Sequence, residues 1–271
     1  MLYTDPAPRQ SKAGGAEGAS MTVEIVTAAV LVIGDEILSG RTKDKNIGYI
    51  ADYCTAIGID LKEVRVVSDD ETAIVEAVNA LRAKYSYVFT TGGIGPTHDD
   101  ITADCVAKAF GVPLDFHPEA IAIMRERVAK SGGELNEARM RMTRIPRGAA
   151  LIANKVSGAP GFWIGNVITM AGIPTVMQAM LDEVAPKLRT GAKLMSESIR
   201  ADAKEGDVGT ELGVIAKEHP DTIIGSYPFL DETMAPNTNI VVRSRDAEKL
   251  AAAKTAIEAM LVKVRAQLGA A

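Results

Sequence analysis

The sequence predicts an α/β protein: a three-layer α/β/α domain with a mostly parallel sheet, followed by a small C-terminal α+β domain. Apolar runs of strand length alternate with amphipathic segments of helix length in the first part of the chain, which is typical of parallel strands covered by helices on both faces. After residue 190 the order changes to strand, helix, strand, strand, helix. Hydrophobic residues make up 47% of the 271 residues and aromatic residues only 4%, so aliphatic side chains and Met must form the cores.

The elements of the first part follow from hydrophobic periodicity and from signals at their ends. A nearly unbroken apolar run, Val26–Ile33, predicts a buried strand. The next segment, 44–57, repeats apolar residues at helical spacing and stops before Gly58, where a C-terminal glycine cap belongs. Ser68 and Glu71 have the spacing of a capping box, which predicts that a helix begins there. The same reasoning predicts strands at 59–67, 87–91, 149–154 and 162–171, and helices from near Asp100 to Gly111 and at 118–130, 136–143 and 176–188.

Composition and pattern divide the chain into three parts. Residues 1–20 are rich in Ala, Gly, Ser and Pro and are expected to form a disordered leader. Thr190 and Gly191 give a weak linker signal, so we assign residues 21–190 to the first domain and 191–271 to the second. In the second domain we expect strands at 196–203, 223–227 and 239–244 and helices at 207–218 and 246–268.

Charge and hydropathy narrow the classes of function. The net charge is −5, which argues against a broad nucleic-acid-binding surface because such a surface needs clustered Lys and Arg. No apolar run reaches the length of a bilayer span and no export signal is visible, so we expect no membrane partner and a cytoplasmic location. Cys54 and Cys105 fall at apolar positions of predicted helices and are expected to be buried thiols.

A glycine-rich loop follows the predicted strand 87–91 and precedes a helix. Gly92, Gly93 and Gly95 can adopt backbone angles closed to other residues, and successive N–H groups in such a loop form an anion-binding concavity. The flanking Thr91 and Thr97 add hydroxyl groups. The spacing is neither that of a P-loop nor that of a dinucleotide fingerprint. A tight turn without a ligand is the alternative, and the neighbouring acidic residues make it less favoured. The loop therefore predicts a site for a phosphorylated small molecule.

Four carboxylates are expected at the same edge of the sheet. Asp99 and Asp100 end the glycine-rich loop, and Asp35 and Glu36 follow Gly34 at the end of the first strand. Because ligands of parallel sheets bind at the carboxyl ends of strands, the two loops should converge. Carboxylates beside a phosphate repel it unless a cation lies between them, so the four predict a divalent metal such as Mg²⁺. Asp99 and Asp100 are the candidate catalytic residues, although one of them, most simply Asp100, is also the expected helix N-cap.

Three other features have plainer interpretations. The second glycine-rich connection, 157–161, is most simply a hairpin turn. His98 lies beside the site without metal-ligand spacing, which favours a hydrogen-bonding or solvent role. A cluster of arginines is either a solvated helix face or a lid facing phosphate; its members are Arg125, Arg127, Arg139, Arg141 and Arg144.

These residues carry a resemblance to a known family. The segments 32–38, 44–46 and 91–102 resemble the MoaB/Mog-type molybdopterin-binding fold, and most of all the N-terminal region of the competence/damage-inducible protein A (CinA) family. Segments 154–161 and 226–228 continue the match. The deamidase domain that CinA-type proteins often carry is not expected here. Family members also tend to have an acidic residue shortly after a Gly-x-Pro, whereas Thr175 follows Pro174 in this chain.

The resemblance implies a pterin or nucleotide ligand and several alternative activities. Relatives of CinA type are associated with metal-dependent hydrolysis of ADP-ribose-like pyrophosphates, and relatives of Mog type with adenylyl transfer to molybdopterin. A non-catalytic ligand-binding or interaction protein is the third alternative. Relatives assemble as dimers or trimers, so a homo-oligomer is expected. The implied ligand-binding residues are Gly34, Asp35, Glu36, Asn46, Thr91, Gly92, Gly93, Gly95, Thr97, Gly158, Pro160 and Gly161, and the implied metal ligands are Asp35, Glu36, Asp99 and Asp100.

Overall fold

The structure of the protein, a computed structural model, describes residues 24–269. The leader predicted at 1–20 lies outside the described residues. Within the described range, no helix is both long enough and apolar enough to cross a membrane.

The first domain alternates strands and helices, as the hydrophobic pattern predicts. In chain order its elements are β1 (Val26–Ile33), α1 (Asp35–Leu38), α2 (Asn46–Ile57), β2 (Ile59–Val67), α3 (Glu71–Lys84), β3 (Tyr87–Thr91), α4 (Thr102–Phe110), β4 (Leu114–Phe116), α5 (Pro118–Lys130), α6 (Glu137–Arg141), β5 (Arg144–Pro146), β6 (Ala150–Ile152), β7 (Gly161–Ile164), β8 (Val167–Met170) and α7 (Pro174–Val184), which a 3₁₀ turn (Ala185–Lys187) extends.

The main sheet has the strand order β2-β1-β3-β8-β7-β6. The first four strands are parallel, and β7 and β6 continue the sheet in the antiparallel sense. Alternate residues of β1 face opposite layers, because Leu31 packs with α3 and α4 whereas Val30 packs with α2 and α7. The predicted three-layer α/β/α class is therefore confirmed.

One predicted strand is wrong. The segment 162–171 was expected to be a single strand but forms the hairpin of β7 and β8. Gly165 has a φ of +57° at the turn, and the Asn166 side chain donates hydrogen bonds to the carbonyl oxygens of Arg82 and Tyr85. Both short strands are buried and therefore apolar, so the sequence on either side of this Gly-Asn pair has the pattern of one continuous strand.

Local end signals predict helix ends better than helix starts. Gly58 and Gly111 cap α2 and α4 in the left-handed conformation, with φ of +80° and +65°. The capping box predicted at Ser68 is wrong, because α3 begins at Glu71 and Asp70 is its N-cap. Asp70 Oδ1 accepts a hydrogen bond of 2.8 Å from Ala73 N. Asp serves this position as well as Ser does, so the sequence offered two competing starts.

The C-terminal region forms a small α+β sandwich in the predicted element order. Its elements are β9 (Met195–Arg200), α8 (Glu205–Glu218), β10 (Ile223–Leu230), β11 (Pro236–Ser244) and α9 (Ala247–Gly269). The antiparallel sheet has the order β10-β11-β9, and the two helices cover one face of it. Arg245 joins it to the first domain through an ion pair with Asp60 and also donates a hydrogen bond of 3.0 Å to Ala192 O, just after the domain boundary.

Candidate functional site

The glycine-rich loop leaves the sheet where three parallel strands end. Gly92 N donates to Met170 O, the last residue of β8, at 3.2 Å. A Cβ atom on Gly92 would lie 2.1 Å from Ile33 O at the end of β1, and its φ of +102° is unfavourable for other residues. The first residue of the loop is therefore in close contact with both neighbouring strands, β1 and β8, and only glycine fits there.

Asp100 closes the second half of this loop. Its Oδ1 accepts a hydrogen bond of 2.7 Å from Gly95 N, and its Oδ2 accepts bonds of 2.8 and 2.6 Å from Thr97 N and Thr97 Oγ1. The predicted N-cap role of Asp100 is wrong, because α4 begins at Thr102 after Ile101, without a side-chain cap. The carboxylate folds back across the loop instead, and both of its oxygens are engaged there rather than directed at a ligand.

The amides available to an anion are fewer than the sequence suggested. Gly95 N and Thr97 N donate hydrogen bonds to the Asp100 carboxylate. Only the remaining amides of the loop can therefore bind an anion, whereas the sequence suggested that successive amides along the loop would do so. Among residues 24–269, no protein group accepts a hydrogen bond from Gly93 N or Ile94 N. Gly93 has a φ of +64°, and a Cβ there would lie 2.2 Å from Thr102 Oγ1. Two consecutive free N–H groups form the smallest unit of an anion-binding nest.

A cavity of about 390 Å³ opens beside these two amides, within the usual size range of small-molecule sites. One wall is apolar, and the other carries the loop together with the polar groups of Glu36 and Ser157. Side chains of the apolar wall come from α5, the segment after α6, and α7: Met124, Met142, Val176 and Met180. Such a cavity suits a ligand with a flat apolar ring and an anionic group.

Asn46 and Thr91, both predicted ligand-binding residues, meet in a smaller pocket of about 60 Å³. Asn46 Nδ2 donates to Gly172 O at 2.8 Å, but Asn46 Oδ1 and Thr91 Oγ1 have no partner within the described range. These residues are only 4% and 1% exposed. An unpaired buried polar group costs about 1–3 kcal/mol, so a hydrogen-bond donor that reached either oxygen would be stabilising. Glu36 and Gly172 line both this pocket and the main cavity, so the two are neighbours.

The predicted acidic residues lie around the mouth of the site together with one that sequence reasoning missed. Asp35 N donates to Asp69 Oδ2 at 2.9 Å. Burial raises the pKa of Asp69 above its ordinary value, and the charges of Asp35, Glu36 and Asp99 raise it further. Asp69 follows β2, a third parallel strand that ends at this edge of the sheet. Its position just after a predicted strand is the signal in the sequence that could have identified it as a site residue.

These carboxylates do not by themselves form a metal cage. No group of three or more His, Cys, Asp or Glu side chains within residues 24–269 is arranged to hold a metal ion. The side chain of Asp99 is 62% exposed, and that of His98, 4.0 Å away, is 99% exposed. A hard cation at this edge would need oxygen ligands from a phosphate and from water in addition to one or two carboxylates.

The second glycine-rich connection is the hairpin turn that its sequence predicts, because it joins the antiparallel strands β6 and β7. Ser157 lines the main cavity, and Pro160 lies in a narrow cleft beside Gly93. Gly158 packs against the Arg127 side chain with a φ of +85°. Gly161 lies within β7, where a Cβ would be 2.4 Å from Thr169 O, so its small size serves sheet packing.

The arginine cluster is dispersed among different acceptors. Arg144 forms a bidentate pair with Asp104 at 2.9 and 2.8 Å, and Arg127 donates to Val156 O at 2.7 Å. Arg141 donates to Asp100 O at 3.4 Å, and Arg141 and Arg144 line a narrow cleft together with residues of the glycine-rich loop. Arg127, Arg141 and Arg144 therefore each donate to a protein acceptor.

A wider groove of about 700 Å³ lies on the C-terminal domain, away from the ends of the parallel strands in the main sheet. Its charged side chains largely neutralise each other, since Lys249 pairs with Asp221 at 2.6 Å and Arg245 with Asp60. It lacks the buried unpaired acceptors of the site described above, so we assign no function to it.

Comparison with known proteins identifies the family of the first domain and a further match for the C-terminal region. Residues 29–190 match the family described as "Probable molybdopterin binding domain", and residues 193–267 match the "FAD synthase, middle domain". The chain belongs to the molybdopterin-binding-domain family. The resemblance to MoaB/Mog-type and CinA-like proteins that the motifs predicted is confirmed.

Individual relatives show how far the likeness extends. A protein of Pyrobaculum calidifontis is 32% identical over 247 residues, which cover 88% of this chain and 94% of that protein. A CinA-like protein of Anaeromyxobacter dehalogenans is 34% identical over 165 residues, 59% of this chain but only 40% of that protein. The crystal structure of "the protein CinA with unknown function" from Thermoplasma acidophilum matches 60% of this chain and 98% of its own, with a TM-score of 0.56 and 33% identity.

Proposed function

We propose that the chain binds a phosphorylated heterocycle, a pterin or a nucleotide, in the cavity beside Gly93 and Ile94. The observation that carries this proposal is that one cavity of about 390 Å³ is lined both by three methionines and by Gly93 and Ile94, whose N–H groups have no acceptor among residues 24–269. The N–H groups suit a phosphate oxygen. Thioether sulfur makes favourable contacts with aromatic rings, so Met124, Met142 and Met180 suit a flat heterocycle.

Direct binding measurements test this proposal. Calorimetric titration with AMP and with inorganic phosphate should give a tighter dissociation constant for AMP, because only AMP can also use the apolar wall. Gly93→Ala should weaken AMP binding by about tenfold or more, since its Cβ collides with Thr102 Oγ1 and displaces the two amides.

Gly148→Ala is the matched control. Gly148 also has a positive φ, +87°, but a Cβ there meets nothing within 4 Å. It should reproduce the backbone strain of Gly93→Ala and retain wild-type affinity. Equal AMP affinity in folded Gly93→Ala and in the wild type would refute the assignment of the loop, and so would a wild type that binds no phosphorylated ligand tried.

A second candidate function is metal-dependent hydrolysis of an ADP-ribose-like pyrophosphate. The observation that favours it is the acidic mouth of the site, where Asp35, Glu36 and Asp99 are close enough to raise the pKa of Asp69. A divalent cation bound there with the substrate phosphates would polarise a phosphoryl group or activate water. Glu36, which lines the main cavity, is the carboxylate best placed to hold it.

Release of AMP from ADP-ribose in the presence of Mg²⁺, Mn²⁺ or Co²⁺ tests this activity. We expect Glu36→Gln to reduce the rate by about 100-fold or more. Binding of ADP-ribose without turnover in the presence of any of the three ions would indicate a ligand-binding protein without hydrolase activity. The presence of Thr175 after Pro174, where family members tend to have an acidic residue, would help to explain that result. ATP- and pterin-dependent AMP transfer would instead support adenylyl transfer.

A further inference from the structure

The segment 141–144 leads from the end of α6 into β5 and carries one wall residue of the main cavity, Met142. The next residue, Thr143, is fully buried. Its Oγ1 donates to Met140 O at 2.8 Å, and its carbonyl oxygen accepts a hydrogen bond of 2.8 Å from His117 N. These bonds hold the segment against α5 and α6, but they do not tie it to the glycine-rich loop on the other side of the cavity.

Arg144 ties this segment to the first turn of α4. Its two terminal nitrogens donate to the two oxygens of the Asp104 carboxylate at 2.9 and 2.8 Å, and its side chain is only 19% exposed. A two-bond contact of this kind fixes direction as well as distance. Because the pair is largely withdrawn from water, it constrains the segment more than an exposed ion pair would.

The first turn of α4 is in turn bonded to the glycine-rich loop. Thr102 N donates to Gly93 O at 3.0 Å, and Thr102 Oγ1 donates to Gly92 O at 2.9 Å. Asp104 lies two residues further along the same turn. A short path of direct contacts therefore runs from the part of the loop that we assign to the phosphate to Met142, which we assign to the ring of the ligand.

We propose that Arg144 is a positioning residue for the ring of the ligand. Through Asp104 it sets the distance between the Met142 side chain and the loop amides, so that the cavity selects ligands whose ring and phosphate are separated by that distance. Arg144 lines the narrow cleft beside the loop but not the main cavity, so it acts through Met142 rather than on the ligand. This inference rests on the proposed function, because the phosphate and the ring are those of its ligand.

The test compares AMP with ribose 5-phosphate, which keeps the phosphate and the sugar and lacks the ring. In calorimetric titrations of the full chain, the wild type should bind AMP about tenfold more tightly than ribose 5-phosphate. Arg144→Met keeps an unbranched side chain and removes both hydrogen bonds to Asp104. It should lower the ratio of AMP to ribose 5-phosphate affinity about fivefold or more, while the affinity for ribose 5-phosphate stays within about twofold of the wild type.

Arg147→Met is the matched control. Arg147 directly follows β5 and forms an ion pair with Asp115 at 2.9 Å, but these side chains are 65% and 50% exposed, and neither residue lines the cavity. This variant should keep the wild-type ratio. Asp104→Asn breaks the same pair from α4, so it supplies the measurement if Arg144→Met does not fold, and it should lower the ratio in the same way.

A double variant tests whether Arg144 acts through Met142. Met142→Ala removes the side chain from the cavity wall and should lower the ratio of AMP to ribose 5-phosphate affinity by itself. Adding Arg144→Met to it should lower the ratio no further, because the residue that Arg144 positions is already missing. Losses that multiply in the double variant would contradict the positioning role.

The outcomes separate this inference from the function on which it rests. If the wild type prefers AMP and both Arg144→Met and Asp104→Asn keep that preference, the role of Arg144 is wrong and the proposed function stands. The same holds if these variants lose affinity for both probes in parallel, since that is the result of a purely structural role. If the wild type binds neither probe, or binds AMP no better than ribose 5-phosphate, this inference and the proposed use of the apolar wall fail together.

Discussion

The backbone amides in the two halves of the glycine-rich loop have opposite roles. In the first half, Gly93 and Ile94 hold two N–H groups that no protein group within the described residues accepts. In the second half, Gly95 and Thr97 donate every amide hydrogen bond they can to the Asp100 carboxylate. The acidic end of the motif therefore holds the loop together, whereas the amides of its glycine-rich start have no protein acceptor among the described residues.

This division implies that glycine is needed for different reasons along the same loop. At Gly92 the constraint is the backbone of the neighbouring strand, whereas at Gly93 it is the Thr102 side chain at the start of α4. Substitutions in the loop should therefore separate into those that damage the sheet, those that loosen the loop and those that affect only the ligand.

The largest effect is expected for Gly92→Ala. Its Cβ would lie 2.1 Å from the Ile33 carbonyl oxygen, and a backbone atom at the end of a central strand cannot move aside. We expect a loss of more than about 4 kcal/mol in the free energy of unfolding, measured by urea denaturation. Gly40→Ala, at a φ of +72° with open space around the added atom, should cost only about 1 kcal/mol. Similar losses in the two variants would mean that the close approach to Ile33 is not a real constraint.

Asp100→Ala should have an intermediate effect. It removes a carboxylate that accepts three hydrogen bonds in a partly exposed loop, and we expect a loss of about 2 kcal/mol in the free energy of unfolding. Because the amides of Gly95 and Thr97 are released, the loop should also exchange its amide hydrogens faster in hydrogen–deuterium exchange. Wild-type exchange at these two amides would show that Asp100 does not hold the loop.

The smallest effect is expected at Asp69 and depends on pH. Its pKa is raised in the folded state, so the folded protein binds this proton more tightly than the unfolded chain does. Its contribution to stability is then complete below the ordinary Asp value of about 3.9 and is lost as the pH rises through the raised value. Asp69→Asn cannot ionise, so above that window it should be more stable than the wild type by less than about 1 kcal/mol. Denaturation curves at several pH values check this, and identical pH profiles for both proteins would contradict it.

The parts of the fold that the sequence predicts are those set by local patterns. β1, β2 and β3 match their expected bounds because each is an apolar or alternating run, and Gly58 ends α2 because a left-handed residue is needed there. The hairpin at Gly165 was missed because both of its strands are buried, so the run reads as continuous.

The candidate site was predictable only in outline. The family resemblance implies that Asn46 and Thr91 bind the ligand, but the orientation of the Asn46 amide depends on Gly172, which is 126 residues away. From the sequence, the Asp100 carboxylate could accept hydrogen bonds either from the first amides of the helix or from the amides of the loop. Only the path of the folded loop decides between these two partners. Asp69 was overlooked because its raised pKa arises from burial and from charges on two other segments, α1 and the glycine-rich loop.

The most direct test of the central claim is an amide titration by nuclear magnetic resonance. Inorganic phosphate and AMP are added to ¹⁵N-labelled protein, and the backbone amides of residues 92–102 are followed. The account predicts that the signals of Gly93 and Ile94 move most, while those of Gly95 and Thr97 change little because Asp100 already holds them. Large shifts at Gly95 and Thr97 with none at Gly93 and Ile94 would contradict it.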